Sequence, residues 1–220
     1  MGTEQQTVLS EDAAGATERG TRDAAVSIVR QREIVEAAVK CFERWGISRT
    51  RVDDIAVEAG MARSQIYKQF NGKDAIVLAV IMESIRQHNR AMREQIPLRG
   101  PSDRVILDSM VIVIRHAIEN RLTAALLNEP ESPHVTARAL AAQPEVMALL
   151  EEYWSGVFDY ARRRGELKAH FDPASATRWV IFVQLSYLAL PELIPDTDEA
   201  LIADLQDYFL PGLIPVNDSE

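Results

Sequence analysis

Apolar positions in this chain recur three and four apart over long stretches and almost nowhere alternate in twos, so the pattern predicts helices throughout. From Val26 to Trp45, the positions Val29, Ile34, Ala38, Cys41, Phe42 and Trp45 fall at helical spacing, and Gly46 supplies a C-terminal stop. Thr50-Arg51-Val52-Asp53 reads as a capping box that opens a second helix, because its hydroxyl and its carboxylate can each satisfy a free backbone N–H. Ile55, Ala56 and Ala59 form the inner face of that helix, and Gly60 marks a chain reversal that favours positive φ. A third, short helix covers roughly Arg63 to Phe70, with Ile66 and Phe70 as its core face. Asn71-Gly72-Lys73-Asp74 then caps a longer helix reaching to about Arg93, before Pro97 and Gly100.

The rest of the chain keeps the helical period. Ser102 and Asp103 open a helix through about Arg121 that the pattern allows to continue towards Leu127, and Pro130 and Pro133 break the chain. Pro144, at a first helical position, opens Glu145 to Arg164, which Gly165 stops. Asp172-Pro173 starts a helix through Leu190, and Asp196 with Glu199 opens a last one ending near Pro211. The expected fold is all-α, with about nine helices. Residues 1–24 are polar, small and mixed in charge, and read as a flexible N-terminal arm, either a solvated tail or a strand of chain that touches DNA beside a main site. Residues 25–72 then form a three-helix helix-turn-helix head, a unit built to place one short helix in a major groove. Residues 73–220 form a helical C-terminal domain.

Charge sharpens this division. The chain of 220 residues carries a formal −9, which by itself argues against nucleic acid. Between Arg30 and Lys73, however, nine basic residues stand against six acidic ones, so that segment is net +3 while the remainder carries −12. DNA binding needs a local basic surface, not a basic protein. With 47% hydrophobic residues the chain can bury a sizeable core, so disorder is not the default. Cys41 is the single cysteine, which excludes an internal disulfide and fits a reducing cytoplasm. The N-terminus has no apolar signal-peptide core, and the most apolar stretch, Trp179 to Leu190, is shorter than the roughly 20 residues a membrane span needs. A cytoplasmic protein without membrane association is expected.

The string Ala37-Ala38, Phe42, Gly46, Thr50, Asp54-Ile55-Ala56, Ala59-Gly60-Met61, Ile66-Tyr67, Phe70 and Lys73 resembles the TetR family of bacterial regulators, in register over about the first third of the chain. The resemblance implies an all-helical homodimer with a DNA-binding head and a larger ligand-binding, dimerising body. In that family, positions matching Arg51, Arg63, Ser64, Gln65, Tyr67, Lys68 and Lys73 commonly carry DNA contacts. The residue chemistry agrees independently. With Ile66 and Phe70 buried, Arg63, Ser64, Gln65, Lys68 and Gln69 point outward; Arg suits guanine and Gln suits adenine. Tyr67 and Lys68 suit phosphates, as does Lys73 at the start of a helix whose free N–H groups also favour an anion. Two positions depart from the family pattern. Ala62 replaces the hydroxyl residue that usually caps the recognition helix, at a cost of about 1 kcal/mol. Gln69 stands where an aromatic residue or His is usual.

In the body, the helix ending at Leu190 is apolar nearly all round and must be covered on more than one side. Val183 and Tyr187 on it, with Leu201, Leu205 and Tyr208 on the last helix, suit an isologous four-helix dimer interface, or plain intrachain core. Met110, Ile114, Trp154, Phe158, Trp179 and Phe182 are the candidates for a mainly apolar effector pocket, or for core. His116, Glu119 and Asn120 share a helix and could orient a polar group. The four histidines, His88, His116, His134 and His170, have no metal-ligand spacing, and no phosphate loop or nucleophile elbow is present. No cofactor, metal or catalytic function is expected. The expected function is a homodimeric repressor of a near-palindromic DNA operator, released by a small apolar or amphipathic effector. A DNA-binding factor without small-molecule control, and a helical carrier or sensor of hydrophobic molecules, are the alternatives.

Overall fold

The computed structural model describes residues 4–96, 98–120 and 143–215, with side chains from residue 24 onward. All regular structure among these residues is helical. The α-helices, numbered in chain order, are α1 Glu4–Trp45, α2 Val52–Glu58, α3 Arg63–Gln69, α4 Lys73–Gln95, α5 Ser102–Glu119, α6 Pro144–Arg163, α7 Pro173–Ala189 and α8 Asp198–Asp204. The all-α expectation holds, with eight α-helices among the described residues where about nine were expected. The continuation towards Leu127, the breaks at Pro130 and Pro133, and His134 lie outside the described residues.

Helix ends follow local chemistry, with four differences from expectation. The helix expected to start near Val26 runs from Glu4, so the backbone of residues 4–24 is helical where an arm was expected. That stretch is rich in Ala, Glu, Gln and Arg, good helix formers that a search for apolar periodicity does not register. At α2 the box is shifted by one residue. Arg51 is the N-cap, and its backbone N–H donates to Asp54 Oδ2 at 2.7 Å. Thr50 instead donates its hydroxyl to the carbonyl of Cys41 at 3.4 Å. At α8 the cap is Thr197, whose hydroxyl accepts from the Ala200 N–H at 3.2 Å, in place of Asp196. The last α-helix, expected to end near Pro211, stops at Asp204. Two further start signals are met: Asp172 accepts from the Ser175 N–H at 2.9 Å to open α7, and Pro144 starts α6. Gly165 ends α6 at φ 72°, where the bonds from its own N–H to Arg162 and from Glu166 to Ala161 close a Schellman turn.

The chain divides into two compact units, Met1–Trp45 with Arg49–Val80, and Gly46–Ser48 with Ile81–Glu220. The division therefore passes through α4, beyond the boundary expected at residue 72. In the first unit α1, α2 and α3 pack together around Ile34, Ala38, Phe42, Ile55 and Ile66, all at most 1% exposed. In the second unit α5, α6 and α7 form a larger core with the C-terminal turns. Its centre is aromatic: Trp154 stacks on Phe158 with ring centroids 5.7 Å apart, and Phe158 meets Phe171 edge-on at 5.0 Å. Burying each such side chain contributes about 1.5–3 kcal/mol.

After α8 the chain widens into a π turn over Leu205–Phe209 and tightens into a 3-10 turn over Leu210–Gly212. This change of pitch keeps Leu201, Leu205 and Phe209 inside while Tyr208 is left 83% exposed. Helix α7 resolves its all-round apolarity in two ways. Ala176, Val180, Ile181 and Gln184 are buried within the unit, whereas Trp179 and Phe182 face out, stacked on each other at 5.6 Å and 17°.

Candidate nucleic-acid interface

The geometry of α2 and α3 begins with the turn between them. Gly60 has φ 64°, and a Cβ there would meet nothing within 4 Å, so the glycine is required by backbone conformation and not by space. The bonds Met61 N–H to Ala56 and Gly60 N–H to Val57 form a Schellman turn that closes α2 and aims the chain into α3. Ala62 gives α3 no side-chain cap, as its missing hydroxyl predicts. Gln65 offsets part of this loss, because its Oε1 accepts the Ala62 backbone N–H at 2.9 Å.

With Ile66 buried and Phe70 half-buried beneath it, the outer surface of α3 presents Arg63, Ser64, Tyr67 and Lys68, all exposed. Gln65 is half-buried in its capping position. Arg51, exposed at the N-cap of α2, and Lys73, half-buried at the first residue of α4, flank them in sequence. Of the readers expected on α3, Arg63, Ser64, Tyr67 and Lys68 share one exposed face, and Gln65 is drawn into the cap. Gln69 does not join that face. Its Oε1 accepts the Ser27 hydroxyl at 2.7 Å, which ties α3 to α1 and gives a physical reason for the departure from the family pattern at this position.

Arg63 is held in a way the sequence did not suggest. Its Nη1 donates to Asp53 Oδ2 at 3.0 Å, its Nη2 donates to the Tyr67 hydroxyl at 3.4 Å, and its guanidinium carbon lies 5.4 Å from the centre of the Tyr67 ring. The Tyr67 hydrogen bond and the Asp53 carboxylate both favour the charged guanidinium and raise its pKa. Sequence reading placed Asp53 in the cap of α2. The structure gives that cap to Asp54, and the carboxylate of Asp53 is engaged by Arg63, ten residues later.

The body residues singled out in the sequence separate into two groups. Met110, Ile114, Trp154 and Phe158 are all within 1% of full burial in the core of the second unit. Trp179 and Phe182, grouped with them as pocket lining, are 45% and 61% exposed. The correction follows from the turn of α7, whose buried stripe runs through Val180 and Gln184. Of the interface candidates, Leu201 and Leu205 are at most 1% exposed inside their own unit, so they have no surface to offer a partner. Val183 and Tyr187 are half-buried, and Tyr208 is free.

Polar groups do enter this core. Tyr153 Oη and Gln184 Nε2 are buried without a hydrogen-bond partner among the described residues. His88 and His116 face each other with ring centroids 4.9 Å apart, and burial, reinforced by the neighbouring His116, lowers the His88 pKa to about 4. The sequence offered His116 as a polar anchor, but it gave no sign of His88 opposite. An open cleft of about 480 Å³ lies elsewhere, between α5 and α8, lined by Arg104, Asp108, Val111, Ile112, Asp198, Glu199 and Ile202. None of the aromatic pocket candidates borders it. Among the described residues no group of three or more His, Cys, Asp or Glu side chains could hold a metal ion, and no helix is long and apolar enough to cross a membrane.

Comparison with known proteins places this geometry. Residues 34–80 match the family described as bacterial regulatory proteins, tetR family. The HTH-type transcriptional repressor KstR2 of Rhodococcus jostii (strain RHA1) is 25% identical over 69% of this chain and 74% of its own length. Among solved structures, the TetR family repressor AlkX from Dietzia sp. Strain DQ12-45-1b superposes with a TM-score of 0.59 at 16% identity, covering 82% of this chain and 95% of that one. The transcriptional regulator FadR from Bacillus subtilis, in complex with stearoyl-CoA, gives a TM-score of 0.53 at 20% identity, over 84% and 97%. At these identities the structural likeness establishes the fold alone.

Proposed function

We propose, for a chain that belongs to the TetR family of bacterial transcriptional regulators, that it acts as a homodimeric repressor whose hold on DNA is set by a small apolar or amphipathic effector. The observation that carries the reading is the outer face of α3. Arg63, Ser64, Tyr67 and Lys68 stand exposed on a seven-residue helix whose other side is anchored by Ile66. Arg63 offers the donors for guanine, and Lys68 and Tyr67 the donors for phosphate. Two such helices in one dimer would enter successive major grooves of a near-palindrome, with half-sites about 34–36 Å apart.

Pairing is supported by the exposed Trp179 and Phe182 on α7, with Leu190 at its C-cap. These large apolar side chains face out of their own unit, and a two-fold partner presenting the same residues would cover them. Effector control is supported by the orphan polar atoms of Tyr153 and Gln184, buried in a mainly apolar core. The FadR of the comparison holds stearoyl-CoA, an amphipathic molecule, in a protein of the same fold. The effector acts by linkage. If it binds better to a form that fits DNA poorly, operator affinity falls by that difference, typically about 1–3 kcal/mol.

The test is fluorescence anisotropy with DNA flanking the protein's own gene, across a salt series, with a Tyr67→Ala, Lys68→Ala control. Tight, salt-sensitive binding to one near-palindrome, lost in the control, is the expected result. Weak binding that is equal on all sequences and indifferent to the control sinks the DNA reading. A saturating effector that leaves operator affinity unchanged removes the effector and leaves the repressor.

A further inference from the structure

Arg63 is the residue of α3 best equipped for a guanine edge, yet an arginine on an exposed helix has many rotamers and no reason to wait in the useful one. Here it does not swing freely. The Asp53 carboxylate reaches it from α2 at 3.0 Å, and the Tyr67 hydroxyl and ring hold it from the next turn of α3. Both members of the ion pair remain more than half exposed, so this link adds little to folding. Its consequence must be sought in binding. A guanidinium has five N–H donors in a fixed plane, and these contacts use two of them. Three remain, and a bidentate guanine contact needs two.

We propose that Asp53 is a positioning residue for DNA reading: its carboxylate fixes the Arg63 guanidinium so that it meets guanine in one orientation, and its charge repels DNA wherever no guanine is there to meet. This rests on the assignment of α3 to the major groove. Specificity is a difference between two affinities, and one side chain can act on both. At a site with guanine, Arg63 arrives already oriented, so less freedom is lost on binding. On other DNA, the Asp53 negative charge stands among phosphates without the guanine contact that offsets it. Gln65 is constrained in parallel, its Oε1 engaged by the Ala62 N–H, which leaves its amide N–H groups for an acceptor on a base.

The experiment is selection from a pool of random duplex DNA by the full chain, with sequencing of the bound fraction, for wild type, Asp53→Asn, Arg63→Ala and the double variant. Wild type is expected to enrich a motif with one guanine position per half-site that disappears with Arg63→Ala. Asp53→Asn is expected to flatten that same position and no other, lowering the preference for guanine about tenfold. Its affinity for unrelated duplex rises, with a salt dependence steeper by roughly one phosphate contact. In the Arg63→Ala background, Asp53→Asn changes only the affinity for unrelated duplex. A guanine position as sharp in Asp53→Asn as in wild type overturns the proposal while leaving DNA reading intact. Enrichment of no motif by wild type overturns the DNA reading, and this inference with it. Because both side chains are exposed, the thermal melting of the variants stays at the wild-type value and serves as the folding control.

Discussion

The two units solve opposite problems with the same element. The first must keep polar side chains of a very short helix exposed and fixed, and it does so with local devices: a Schellman turn at Gly60, a carboxylate cap from Asp54, an amide cap from Gln65. The second must bury large surfaces, and it does so with longer helices and an aromatic centre at Trp154 and Phe158. The contrast teaches where each unit is vulnerable. Removing packing from the body is expected to cost folding, whereas on the proposed reading removing a side chain from the outer face of α3 is expected to cost DNA binding and almost no folding.

The strongest way to break this contrast is Trp154→Ala. The indole is 1% exposed, and its loss leaves a cavity in the core of the second unit. Chemical denaturation should register a loss of about 3–5 kcal/mol. A loss below about 1 kcal/mol would mean that this core is loosely packed and the comparison is misdrawn.

Next in size is the pH dependence of the body. His88 has its pKa lowered to about 4 from 6.5, so the folded form resists a proton that the unfolded form accepts. Its contribution is therefore fully present above pH 6.5 and is lost as pH falls towards 4. The loss is at most about 3 kcal/mol. His88→Gln should flatten the stability profile across that window. Glu166 acts lower. It accepts the Ser102 backbone N–H and pairs with Arg164, first among the causes that bring its pKa to about 2. Its contribution is present above about pH 4.5 and fades as pH falls towards 2. A profile unchanged by His88→Gln between pH 6.5 and 4.5 would count against a buried neutral imidazole.

The turn between α2 and α3 offers a smaller, purely backbone test. Gly60→Ala meets no atom, so its whole effect comes from placing a Cβ at φ 64°. Unfolding should lose about 1–2 kcal/mol. An unchanged midpoint would show that the turn relaxes to negative φ without cost. The smallest stability effect belongs to the Tyr67→Ala, Lys68→Ala pair. It should shift unfolding by no more than about 0.5 kcal/mol per substitution while DNA binding is lost. If melting and DNA affinity fall together, the face of α3 is structural and not a reading surface.

Much of the first unit was legible because its signals are local. Gly60, Ile66 and the exposed donors of α3 lie within one turn of the features that constrain them, and a seven-residue helix has one face to bury. The cap of α2 was misplaced by one residue because Asp53 and Asp54 are chemically identical neighbours; only the 3.0 Å bond to Arg63 separates their tasks. The body was legible as helices and as apolar mass. Its orientation was not. An amphipathic helix announces its inner face, but α7 is apolar nearly all round, so the sequence gives no phase by which to put Val180 inside and Phe182 outside.

The sequence by itself thus determined an all-helical chain with a basic, capped helix-turn-helix segment ahead of an acidic, apolar-rich remainder. Periodicity, caps and charge act over a few residues, and that range covers every one of those features. Tertiary structure alone decided that Asp53 would hold Arg63, that His88 would face His116, and that Leu201 and Leu205 would go to the core while Trp179 and Phe182 faced out of their own unit. Each of those outcomes depends on which helices pack together and at what rotation. That choice is made by the summed burial of many side chains, and no single stretch of sequence contains it.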